Sequence, residues 1–212
     1  IKYRKFKADY LFHGKQISNH NYVLITSDTG HVSAIISKNE AGDDVESFEG
    51  MLCPGFINAH CLLELSHRKN IIPEKKGLVD FVYKVVTTRN FEENEIKKAI
   101  QNAENEMLAA GIVAVGDICN NTLTLQQKEL KNLFYYNFIE ISGWDPKVAE
   151  KRFHQSKSYY DEFLKNKQIA SMIPHAPYSV STELWGKIAR FFTRNVVSVP
   201  NQETQHEDAF FL

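Results

Sequence analysis

Met51-Leu-Cys-Pro-Gly-Phe-Ile-Asn-Ala-His-Cys-Leu-Leu-Glu-Leu-Ser-His67 is the stretch on which the reading of this chain turns. An apolar run, broken by Pro54 and Gly55, ends on Asn58-Ala59-His60, where a buried strand would surface. Alternate side chains of a strand share a face, so positions 60 and 62 point the same way. Two imidazoles at that spacing would hold one metal ion from a strand end. Here the second position is Leu62. Cys61, between them, reads as a small side chain turned away from the pocket.

Upstream, residues 1–50 read as short strands at Tyr3–Phe12, Tyr22–Thr26, Val32–Ile36 and Val45–Phe48. Turn residues separate them at His13-Gly14, Ser27-Asp28-Thr29-Gly30 and Ala41-Gly42-Asp43-Asp44. This predicts a β-meander. Downstream, the pattern changes to strands alternating with helices. Phe91–Ala110 carries Ile96, Ile100, Ala103 and Met107 at helical spacing and meets Gly111, a natural helix terminator. Strands follow at Ile112–Cys119, Phe134–Ser142, Ile169–Pro174 and Val196–Val199, with helices at Leu123–Leu133, Asp145–Asn166 and Thr182–Phe192. Between residues 62 and 90, Ile71-Ile72-Pro73 and Lys75-Lys76-Gly77 read as loop, and Leu78–Val86 as a short helix. Strand and helix in alternation predict a parallel α/β sheet, with five strands counting the organising one.

Pro54-Gly-Phe-Ile-Asn-Ala-His-Cys-Leu62 resembles the first barrel strand of the amidohydrolase superfamily, in its aminohydrolase and chlorohydrolase branch, where the motif reads His-x-His. Pro174-His-Ala-Pro-Tyr-Ser179 resembles the His-Ala-Pro-Tyr-Thr stretch of the same branch, whose histidine faces the substrate. Val199-Pro-Asn-Gln-Glu203 falls where that family has His-x-x-Glu, the His a metal ligand and the Glu a proton shuttle. The resemblance implies a partial (β/α)8 TIM-type barrel over residues 51–212, covering about strands 1–5. It makes residues 1–50 one portion of a β-sandwich. It implies His60 as a metal ligand, His175 as a substrate-binding residue and Glu203 as the catalytic acid and base. It also implies one divalent ion, Zn2+ by preference, which lowers the pKa of bound water to near 7. The parent reaction is hydrolytic deamination or dechlorination, at a C–N or C–Cl bond of a small polar heterocycle or nucleoside-like compound.

Two positions depart from the pattern: Leu62 and Pro200 stand where ligands are expected, and the proline ring offers a metal no lone pair. Two readings follow. Either the chain is the N-terminal half of a metal-dependent hydrolase, impaired as it stands, or it is a degenerate relative serving as a structural or partner-binding domain. Asp117 and Glu140, on predicted strands, read as buried supports, and Glu64 and His67 as surface loop residues. The net charge of −1 gives no electrostatic case for nucleic acid or an anionic membrane. No apolar run approaches the ~20 residues of a membrane span. Lys2, Arg4, Lys5 and Lys7 interrupt any signal-peptide core, so the chain reads as cytoplasmic. Three cysteines without a CxxC pair argue against a disulfide framework. An open sheet of five strands leaves edges that invite association, so a homo-oligomer is an expectation alongside a small-molecule substrate.

Overall fold

Pro54 and Gly55 divide the organising stretch, and with it the chain. The computed structural model describes residues 2–72, 77–88 and 91–210, and the loop expected at Pro73 and Lys75-Lys76 lies outside them. Two units emerge, Ile1–Gly55 and Phe56–Leu212. Among the described residues no helix is long and apolar enough to cross a membrane.

The first unit is all β. Its strands are β1 (Tyr3–Lys7), β2 (Tyr10–Phe12), β3 (Ile17–Asn19), β4 (Tyr22–Ser27), β5 (Val32–Ser37), β6 (Val45–Ser47) and β7 (Met51–Leu52). They form two sheets, ordered β5-β4-β1-β6 and β3-β2-β7. The single strand expected over 3–12 is two strands feeding different sheets. At the break between them, Asp9 Oδ2 accepts the Gly50 N–H at 2.8 Å. β4 pairs antiparallel with β1 and β5, as in a meander, whereas β6 and β7 return parallel to β1 and β2.

The second unit is built on four parallel strands: β8 (Phe56–Cys61), β9 (Ile112–Cys119), β10 (Phe134–Ile141) and β11 (Ile169–Pro174), in the order β11-β10-β9-β8. Helices α1 (Leu78–Thr87), α2 (Glu93–Ala109), α3 (Leu125–Lys128), α4 (Ala149–Lys165), α5 (Thr182–Ile188) and α6 (Gln205–Phe210) accompany them. Local chemistry sets the helix ends. Gly111 takes φ +78° and ends α2, while the Ser181 hydroxyl accepts the Leu184 N–H at the start of α5. Asp145 Oδ1 accepts the Lys147 N–H at 2.9 Å, and Pro146 opens a 3-10 turn leading into α4. The predicted apolar stripe of α2 packs as read: Ile100 is buried, with Ile96, Ala103 and Met107 beside it, against Leu63, Val115 and Tyr135.

Two expectations need correction. The helix read over Leu123–Leu133 is confined to Leu125–Lys128, because the chain turns through Lys131 at φ +56°. The strand read at Val196–Val199 does not join the sheet. It is tethered by side chains instead: the Ser171 hydroxyl donates to Val196 O at 2.8 Å, and the Val196 N–H donates to the Tyr136 hydroxyl at 3.0 Å.

Alternation divides the sheet into two faces. Ile118, Phe138 and Ile173 cluster on one, with Leu62 and Tyr136 packed against them. Cys119, Ile139, Ile141 and Met172 lie on the other, under Phe153 and Phe163 of α4 and Leu184 and Ile188 of α5. Gly116 fixes the approach of β8 to β9, since a Cβ there would sit 2.6 Å from Ala59 O.

Candidate functional site

Four parallel strands bring their C-terminal ends to one edge, which is where barrel enzymes place their chemistry. That edge carries His60 on β8, Asn120 just past β9, Glu140 near the end of β10 and His175 just past β11. His60 is exposed, and its N–H donates to Asn58 Oδ1 at 3.3 Å. Leu62, two residues on, turns into the Ile118–Phe138–Ile173 cluster, so the position expected to offer a second imidazole is part of an apolar plug.

The better-built part of the mouth lies opposite. The Asn120 side-chain amide donates to Glu140 Oε2 at 2.7 Å, and His175 Nε2 stands 3.9 Å from Glu140 Oε1. Prolines 174 and 177 keep this segment extended, and the His175 N–H donates to Ile141 O at 2.9 Å. His175 Nδ1 is hydrogen-bonded to the Ser179 hydroxyl at 2.8 Å. That hydroxyl donates its one proton to Ala176 O at 3.0 Å, so in neutral His175 it is Nδ1 that carries hydrogen and Nε2 that keeps a lone pair. Two acceptors, His175 Nε2 and Glu140 Oε1, therefore face one space. Tyr178 stands edge-on to His175 with ring centroids 5.9 Å apart. Its phenol is pushed up by burial and by the nearby charges of Glu203, Glu207 and Glu140.

Glu203 is exposed, and its N–H donates to Glu207 Oε2 at 3.0 Å. It lines a cleft of about 1240 Å³, shared with Leu62, Leu65, Ser66, Arg68 and Phe81. His60 and His175 are not in that lining, so the three residues singled out from sequence do not converge on one cavity among the described residues.

Glu64 and His67 correct a sequence expectation. Glu64 is buried at 5% exposure, and its Oε2 accepts the Asn120 N–H at 2.9 Å. Burial pushes its carboxyl up to about 7; the Asn120 N–H opposes this, while Asp117 and Glu140 add to it. His67 is anchored by Nδ1 to Glu64 O at 3.0 Å and by its ring against Phe91. Burial and Arg68 lower its pKa.

Asp117 is a support, as expected, but on the helix-facing side. Its Oδ1 accepts the Leu63 N–H at 2.8 Å, and its Oδ2 accepts the Lys128 ammonium at 2.5 Å. Lys128 also donates to Asn137 Oδ1 at 2.7 Å, and Asn137 Nδ2 donates to Ile169 O at 2.8 Å. One buried chain of polar groups thus ties β9, β10 and β11 to one another and to the turn that follows β8. Burial disfavours the Lys128 ammonium, but Cys119 and Asp117 outweigh it and hold its pKa above the ordinary value. Burial pushes the Cys61 thiol up to about 12 and the Cys119 thiol well above its usual range, so neither is a nucleophile at neutral pH.

The donor set does not fit a catalytic zinc, which usually takes three protein ligands. Among the described residues no group of three His, Cys, Asp or Glu side chains is placed to hold a metal ion. At the expected positions, one exposed imidazole stands beside Leu62 and, on the segment after β11, Pro200.

No protein-family model matches the chain, and no curated protein matches it by sequence. Solved structures do. Helicobacter pylori aminofutalosine deaminase, in complex with methylthio-coformycin, matches with TM-score 0.75 and 20% identity over 95% of this chain and 51% of its own. Guanine deaminase from C. acetobutylicum, with bound guanine, gives 0.68 and 14% over 97% and 54%. Atrazine chlorohydrolase from Arthrobacter aurescens, complexed with zinc, gives 0.65 and 12% over 88% and 49%. These proteins are members of the amidohydrolase superfamily. The likeness shows the fold: the chain shares the architecture of these structures over its own length, and it spans about half of theirs.

Proposed function

We propose that the strand mouth binds a small polar heterocycle or nucleoside-like compound, and that the 212-residue chain does not hydrolyse it. The observation that carries this reading is the paired acceptor set, His175 Nε2 and Glu140 Oε1, 3.9 Å apart and each held by a further residue. Two adjacent acceptors suit a ring N–H beside an exocyclic amine, the donor edge of an amidine-like heterocycle. Ligands of that class occupy related folds, guanine in one and methylthio-coformycin in another. Asn120 fixes the Glu140 carboxylate, and Ser179 fixes the His175 ring, so neither must reorganise on binding.

The loss of turnover is argued from the donor set. Hydrolysis in this fold relies on a metal ion to generate hydroxide, and Leu62 and Pro200 cannot supply ligands to one. Glu203 lines a cleft that holds neither His60 nor His175, and among the described residues no group of three His, Cys, Asp or Glu side chains is placed to hold the ion that would activate water for it. Calorimetric titration with guanine tests the binding reading. Measurable affinity that falls about 10-fold in His175→Ala supports it, on the scale of one hydrogen bond. Equal affinity in the variant, or none in the parent chain, refutes it.

A further inference from the structure

The face of β10 that carries the mouth continues past the end of the strand. Tyr136 and Phe138 lie on the side of Ile118 and Ile173, and Glu140, two residues on, presents its carboxylate to His175 on that same side. Period-two alternation puts Ser142 and then Trp144 next in the row. Gly143 shows that the alternation survives this far. It forms a parallel bridge with Val180, its N–H donating to Ser179 O at 2.7 Å and its carbonyl accepting the Ser181 N–H at 2.9 Å. A Cβ on Gly143 would meet Leu184, Arg152 and Val148, on the side of α4 and α5. Position 143 therefore faces the helices, and position 144 faces the mouth.

We propose that Trp144 is the stacking platform of the mouth, its indole lying on the flat face of a ring whose edge His175 and Glu140 hold. The assignment rests on heterocycle binding at the mouth and narrows the ligand to a planar aromatic ring. Such a ring has a donor edge and two π-faces, and the paired acceptors satisfy the edge alone.

The levels along the strands agree with this role. Ile141 pairs with Pro174, and the His175 N–H donates to Ile141 O, so Ser142 comes level with His175. Trp144 stands two residues further along, roughly 6.6 Å at the rise of a strand. Ser142, between them, is small, so its own strand does not fill the space beneath the indole. Past Trp144 the chain turns outward, where Asp145 caps the 3-10 turn that leads into α4. That sets the indole on the rim. The bridge to Val180 holds its backbone in place, so a platform is ready before a ligand arrives. Trp185, the other tryptophan, is packed against Phe192 and the core, whereas Trp144 is 77% exposed.

Trp185→Phe leaves Trp144 as the single tryptophan, so its emission reports the mouth. Guanine should quench that emission and shield the indole from acrylamide, with a midpoint equal to the dissociation constant from calorimetry on the same variant. Trp144→Ala should weaken guanine roughly 5- to 100-fold, on the scale of one base–aromatic stack, and Trp144→Phe should recover part of the loss. Both should melt with the parent chain, because the indole is exposed. Unchanged guanine affinity in W144A, a W144F variant as weak as W144A, a loss matched by a fall in melting temperature, or Trp144 emission unmoved at saturation would each overturn the stacking role. Guanine binding that H175A weakens would still stand in those cases, as the hydrogen-bonded mouth alone. No guanine binding by the parent chain would overturn both.

Discussion

Replacing Glu64 by Gln isolates the cost of a buried carboxylate beneath the mouth. Glu64 is 5% exposed, and its pKa is raised from 4.5 to about 7, burial being the largest cause. The sign follows from linkage. A carboxyl whose folded pKa lies above its unfolded value binds more protons in the folded state between the two, so its contribution is fully present below about 4.5 and is lost as pH rises to about 7. Two to three pKa units correspond to roughly 3 kcal/mol at 1.36 kcal/mol each. Glutamine keeps an oxygen to accept the Asn120 N–H and never ionises. At pH 8 the E64Q variant should therefore be the more stable protein by up to roughly 3 kcal/mol, which at about 2–4 °C per kcal/mol is a rise in Tm on the order of 6–12 °C. At pH 5, where the parent carboxyl is protonated in the fold, the difference should shrink below about 1 kcal/mol. Thermal melts by circular dichroism at the two pH values measure it. An equal Tm difference at pH 5 and pH 8 would refute the assignment of a raised carboxyl at this position.

Two further substitutions probe the frame that holds the mouth. Lys128→Ala leaves Asp117 buried without its counter-charge and should cost about 3–5 kcal/mol in a urea melt, against under about 1 kcal/mol for the exposed pair lost in Lys157→Ala. Equal costs would mean that the buried network is not what joins β9, β10 and β11. Gly116→Ala introduces a Cβ 2.6 Å from the Ala59 backbone oxygen and should destabilise by about 1–3 kcal/mol, because β8 must move away from β9. A neutral effect in the same melts would show that β8 is less closely seated than the structure has it.

Much of this architecture is legible in the sequence because local signals and tertiary needs coincide. The α2 stripe and Gly111 as its terminator are short-range chemistry, and both stand where read; the Asp145 and Ser181 side chains that cap the turns before α4 and α5 are local devices of the same kind. The strand at Val196–Val199 fails for a long-range reason: β-branched residues favour extension, but a strand needs a ladder, and these four find only side-chain tethers. Lys128 is invisible to a sequence reading, since a lysine in a short helical stretch looks solvated until Asp117 and Asn137 are known to lie beneath it. Glu64 is hidden for the same reason, its burial depending on the approach of Asn120 from another strand. Asn120 itself could have been found, being the first polar residue after an apolar parallel strand, where barrel chemistry resides. His60 and His175 are reached by motif, and the structure sets both at the strand mouth, whereas Glu203 lines a neighbouring cleft.

Zinc content per chain, by elemental analysis of protein purified with added zinc and then dialysed, tests the claim that Leu62 and Pro200 have dismantled the metal centre. The account predicts that the parent chain retains none, with no release of ammonia from guanine under the same conditions. Close to one tightly held ion per chain, together with turnover, would contradict it and restore a hydrolytic reading.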